Sequence, residues 1–175
     1  MHWLMAGLIV TGFGLGLSMV DLPLSPTKLK WYSWHKWIGV TVFGLAVLRL
    51  CWRLRKAPPP LPASVPPWQH TVSKATHFVL YVLMLATPVF GWLFSSAKGV
   101  ATVYLGLWRL PDLVAKDEAL AAILKNFHMA LAFLLATLIV LHVAAALKHH
   151  FIDRDTVLVR MFPFVRSKGY RGILS

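Results

Sequence analysis

The chain has little charge and almost no cysteine. Charged residues make up 14% of its 175 positions, and only six of them are acidic. That is too little to cover a water-soluble domain of this size, which points to an integral membrane protein. The one cysteine, Cys51, excludes an intramolecular disulfide and a cysteine-ligated iron–sulfur cluster. There is no Cys-x-x-Cys-His, so covalently attached haem is excluded too. No nucleic-acid motif accompanies the net charge of +12, which instead suits membrane orientation and attraction to anionic lipid. Internal repeats are absent.

What is present is apolar: 58% of residues, with eight Trp. Uncharged runs cover residues 1–20, 37–48, 75–97 and 127–147. At about 1.5 Å per residue, roughly 20 residues cross the ~30 Å hydrocarbon core. The short second run suffices if His35 and Lys36 reach one interface and Arg49 snorkels to the other. The expectation is an all-α, integral membrane four-helix bundle, a single domain over 1–175 with spans at about 2–20, 35–53, 75–97 and 127–148. The first run lacks a basic leading segment and a small-residue cleavage site before Asp21, so it reads as a helix and not a cleaved signal.

Between the runs, residues 21–34 read as an aromatic interfacial connection with Pro23 and Pro26. Residues 52–74, with six prolines, read as a semi-extended linker. Residues 112–124 suggest a short surface helix opened by Asp112, and the tail after Phe151 suggests a segment lying against a leaflet. The linker and tail side carries eleven Lys and Arg, the opposite side seven with four acids. This imbalance places both termini in the cytoplasm.

Histidines are the polar residues that the spans cannot ignore, because an ionisable group in lipid is a functional hypothesis by default. His128 and His142 are fourteen residues apart on one helix, within about 40° of the same face and separated by about 21 Å along it. His35 opens the second span on the outer side, level with His128. His2 opens the first on the inner side, level with His142, and His77 competes with His2 for that place. Two cross-helix pairs at two depths suit bis-imidazole ligation of b-type haem iron, with other ring nitrogens turned to carbonyls, hydroxyls or water. Glycines in the first two spans, among them Gly12, Gly16 and Gly39, permit close approach of a flat macrocycle. A bare zinc or copper site fits less well, since each pair offers two ligands and no nearby carboxylate or thiol. His149, on nearly the same face as His142, is placed to hydrogen-bond a quinone carbonyl or to be an ordinary interfacial histidine. Lys148 beside it is a proton-supply candidate. His70 and His150 read as solvated.

The segments HKWIGVTVFGLAVLRLCWRL, HFVLYVLMLATPVFGWLFSS and FHMALAFLLATLIVLHVAAALKHHF, with His2-Trp3 ahead of them, resemble the bacterial cytochrome b561 family of four-helix di-haem membrane proteins. The resemblance covers essentially the whole chain, and LHVAAALKHH is its most specific part. Family members usually carry a short segment before the His-Trp pair, whereas here His2 follows Met1. The resemblance implies two non-covalent haems b, His35 with His128 on the outer one and His2 with His142 on the inner one. It also implies residence in the bacterial inner membrane and electron exchange with ubiquinone, in some members with superoxide as donor. Lys36, next to His35 on a basic outer face, is then a candidate for steering superoxide. Two rival readings are a cytochrome b subunit linking a soluble dehydrogenase or hydrogenase to the quinone pool, and a haem-free small transporter or assembly factor.

Overall fold

The computed structural model describes residues 1–56 and 66–153. The proline-rich residues 57–65 and the tail from 154 onward lie outside this description, and with them the middle of the expected linker and most of the expected leaflet-bound tail. Four helices carry the described chain: α1 His2–Val20, α2 Pro26–Arg55, α3 Pro67–Ala97 and α4 Glu118–Phe151. Each is long and apolar enough to cross a membrane, and α4 exposes Phe133, Leu134, Val140 and Leu141 as a lipid-facing surface requires.

The helices outrun the uncharged segments. α2 begins at Pro26 because Ser25 accepts from the Lys28 amide and Pro26 takes the first helical position, where no N–H is needed. α3 likewise starts at Pro67. Lack of charge marks only the part of a helix that lies in hydrocarbon, so part of the expected linker and part of the first connection are helical.

The expected surface helix at 112–124 does not form. Asp117, not Asp112, is the cap: its side chain accepts from the Ala119 and Leu120 amides, and the helix it opens continues unbroken through the span. Ahead of it the connection folds into a small hairpin, β1 Val103–Tyr104 against β2 Trp108–Arg109. Leu107 N–H donates to Tyr104 O across a turn whose central residues, Leu105 and Gly106, both have positive φ (52° and 74°). The hairpin lies on α2: Trp37 Nε1 donates to Val103 O (2.7 Å), and Tyr104 Oη meets Thr41 Oγ1 (3.0 Å). Trp92 Nε1 donates to Pro111 O (3.1 Å), so α3 holds the same connection.

Packing runs in sequence order, α1 on α2, α2 on α3, α3 on α4; among the described residues α4 makes no extensive packing contact with α1 or α2. A core of Met5, Ala46, Leu80, Tyr81, Leu83, Met84 and Leu135 joins all four helices toward the end where α1 starts, here the tail end. A smaller one, Ala97, Ala121 and Leu124, ties α3 to α4 at the hairpin end. Between α4 and the α1–α2 pair only side chains such as Phe13 and Phe133 meet, edge to face at 5.5 Å.

Candidate functional site

That gap holds His35 of α2 and His128 of α4. Their rings lie 5.9 Å apart between centroids and are perpendicular, at 89°. Each ring is fixed from behind. His35 Nδ1 is 2.8 Å from Gly12 O, and His128 Nδ1 is 2.9 Å from Thr87 O. A carbonyl only accepts, so both Nδ1 atoms carry the proton and both Nε2 atoms keep a free lone pair. At a metal–nitrogen distance of about 2 Å, two opposed imidazoles need centroids about 6 Å apart.

Both contacts share one local design. The residue four positions after each accepting carbonyl is glycine: Gly16 after Gly12, Gly91 after Thr87. A Cβ on Gly16 would stand 3.2 Å from His35 Cε1, and one on Gly91 would stand 2.9 Å from His128 Cε1. Bare backbone is what lets each imidazole reach a helix carbonyl that already serves its own helix.

Two cavities meet at this pair. One, of about 290 Å³, is almost wholly apolar and reaches inward past Gly12, Val42, Met84 and Leu135. The other, of about 600 Å³, opens toward the hairpin end past Gly16, Tyr32 and Phe94, with Lys98, Lys125, Glu118 and Asp21 among its lining residues. Thr87 Oγ1 is buried beside the first cavity without a hydrogen-bond partner. An apolar slot with two iron-competent nitrogens across it and a charged mouth fits a flat, carboxylate-bearing metal macrocycle. Among the described residues no cluster of three or more metal-ligating side chains could hold a bare ion. The donor set therefore fits haem better than zinc or copper.

The tail end is arranged differently. His142 meets His77 of α3, with centroids 5.3 Å apart, and His77 Nδ1 is 3.4 Å from Ser73 Oγ. His2 lies close enough to both to interact electrostatically, but its Nδ1 accepts from Arg49 Nη1 at 3.3 Å. Three histidines and an arginine thus converge where two histidines were expected.

The remaining candidates are also placed. Lys36 Nζ donates to Val100 O and Ala101 O, which pins its charge to the connecting loop one residue from His35. Lys148 Nζ pairs with Asp153 at 2.6 Å, and His149 Nδ1 lies 3.3 Å from the same carboxylate. His70 and His150 are half-buried, and the His150 ring packs on Phe151. Asp153, Gly91 and the roles of Arg49, Lys98 and Lys125 are contributions that reading the sequence missed, and Gly16, expected to admit a macrocycle, makes room for the His35 ring. Only the glycines had a signal there, and it becomes legible only once the carbonyl that each histidine meets is known.

Comparison with known proteins agrees with this geometry. Residues 1–164 match the model of the family described as Prokaryotic cytochrome b561. Two Escherichia coli K12 proteins are similar. Cytochrome b561 homolog 2 is 38% identical over 91% of this chain and 86% of its own length, and cytochrome b561 homolog 1 is 32% identical over 79% and 78%. A Yersinia pestis protein named as a probable superoxide oxidase, CybB, is 29% identical over 95% of this chain and 93% of its own. The four-helix membrane architecture, the paired imidazoles and this whole-chain similarity lead to one conclusion: the chain belongs to the prokaryotic cytochrome b561 family of membrane-embedded b-type cytochromes.

Proposed function

We propose that this protein moves electrons across the bacterial inner membrane, from superoxide at the hairpin end to ubiquinone at the tail end, through two haems b. The observation that carries the reading is the His35–His128 pair, whose tautomers are fixed by Gly12 O and Thr87 O and whose neighbouring cavities are apolar. Haem supplies a centre that takes up and releases one electron at a time; His35 and His128 would hold the outer one.

For the inner haem we propose His142 with His2. At the hairpin end the two ligands come from α2 and α4, which are not packed on each other and so leave width for a macrocycle. α1 and α4 repeat that relation for His2 and His142. His77 and His142 sit on α3 and α4, a directly packed pair. His77 then flanks the inner site without ligating it.

The donor assignment draws on the Yersinia relative's name and on charge. Lys98 and Lys125 line the wide cavity that leads to His35 and His128, together with Asp21 and with Glu118, which pairs with Lys98. The outer face as a whole carries seven Lys and Arg against four acids, and such a field raises the local concentration of an anion such as superoxide. At the other end, the shared contact of His149 and Lys148 with Asp153 supports assigning them to quinone contact and proton supply. The balance is two superoxide, one ubiquinone and two protons giving two dioxygen and one ubiquinol.

Eleven basic residues on the linker and tail side, against seven on the other, support an orientation with both termini in the cytoplasm.

The test is a reduced-minus-oxidised spectrum of purified protein mixed with superoxide, with and without ubiquinone. Split α bands that appear with superoxide and fade with ubiquinone support the reading; haem that superoxide does not reduce removes it. His2→Ala should halve the haem per chain and His77→Ala should leave two. A soluble dehydrogenase co-purifying in stoichiometric amount would favour the linking-subunit role instead.

A further inference from the structure

Arg49 and Arg53 are one turn apart on α2 and both stack on the same buried ring. Their guanidinium carbons lie 5.7 and 5.5 Å from the centroid of Tyr81, which is 9% exposed. Like charges at i and i+4 repel, and cations at the edge of a span want an anionic partner. None is on hand among the described residues. Among the described residues neither arginine forms an ion pair, and Asp153, the acid described at this end, is engaged by Lys148 and His149.

Arg49 has a temporary partner in His2, whose Nδ1 it approaches at 3.3 Å. A guanidinium can only donate, so this contact uses the single lone pair of a neutral imidazole. Iron needs that same lone pair. Arg49 donation and iron ligation by His2 are therefore mutually exclusive, and a His2 that held iron would leave Arg49 without this partner. The planar fork of a released guanidinium matches a carboxylate.

We propose that Arg49 and Arg53, splayed over Tyr81, are the carboxylate-binding site of the inner haem. Arg49 exchanges His2 for a haem propionate as the haem enters. The site rests on the two-haem reading given above. It sits beside His2, His77 and His142, with all three of which Arg49 interacts electrostatically. Its ring platform is buried in the core that joins all four helices, so it is built from the bundle interior and not on the lipid-facing surface. For that reason a haem carboxylate is favoured over a lipid phosphate, which would offer the same oxyanion chemistry.

The experiment is transfer of haem from the full-length holoprotein to excess apomyoglobin. It is followed at the two α bands in wild type, Arg49→Gln, Arg53→Gln and Arg49→Lys. One haem should leave roughly tenfold or more faster in either Gln variant, the loss of a charge-assisted hydrogen bond, while the other is unchanged. Arg49→Lys should restore part of the retention. Wild type reconstituted with haem dimethyl ester should lose its inner haem as fast as Arg49→Gln loses native haem. This arm needs no arginine variant to fold.

Wild type with two haems whose departure neither variant nor ester accelerates would overturn the site and leave the two-haem reading standing. So would variants that lose only bound anionic phospholipid, read by native mass spectrometry. Wild type with a single haem would overturn the two-haem reading, and the site with it.

Discussion

A methyl group added at Gly91 would stand 2.9 Å from His128 Cε1, and the ring cannot retreat without giving up Thr87 O. Overpacking of this kind costs about 1–3 kcal/mol. Gly91→Ala should therefore lower occupancy of the outer haem severalfold, measured as pyridine haemochrome per chain. Gly16→Ala, where the gap is 3.2 Å, should do so less, and Gly7→Ala, with nothing within 4 Å, not at all. Equal haem loss in all three would sink the argument from close approach. At the other end, Asp153→Asn removes the carboxylate that Lys148 and His149 share. Quinone reduction should slow severalfold while the haem spectrum stays as it was. At this scale the sequence supplied His35, His128 and His142 because histidine in an apolar run is conspicuous. It could not supply Arg49 or Asp153, since basic and acidic residues at helix ends have an ordinary explanation in solvent and lipid headgroups.

Elements were legible where hydrophobicity dictates them. All four helices were expected from uncharged runs, yet their ends were set by local chemistry that those runs do not express. Asp117 is the instructive case: its carboxylate satisfies two orphan amides of α4 and fixes where a helix that carries two haem-ligand candidates begins. Asp117→Ala should cost about 1 kcal/mol, visible as a lower midpoint of thermal unfolding in detergent. The hairpin was not foreseen, because Leu105-Gly106 is not one of the Asn-Gly or Asp-Gly pairs that announce such a turn. Leu105 is held at φ 52°, a region that costs a branched residue about 1 kcal/mol. Leu105→Asn should raise the unfolding midpoint by a few degrees; a fall would mean that the exposed leucine makes contacts worth more than its strain.

For the whole molecule, charge and topology make separate predictions. If the basic outer face draws in superoxide, its reaction rate should fall as salt rises and the Debye length shrinks below about 10 Å. Ubiquinone reduction in the same samples should hardly respond. Orientation can be read with one thiol at a time. In a Cys51→Ser background, Lys56→Cys should react with an impermeant maleimide only in inside-out vesicles and Leu107→Cys only in right-side-out ones; the reverse pattern would invert the electron path. The sequence by itself determined the solvent, the number of spans and the candidate ligands, because transfer of residues into hydrocarbon is a property of composition and spacing. Tertiary structure alone decided which ring meets which. His35 faces His128 across the space between α2 and α4, and His142 meets His77, with His2 near both, because α3 packs on α4 while α1 does not. Those separations arise from contacts among all four helices, which the spacing of residues along any one helix does not contain.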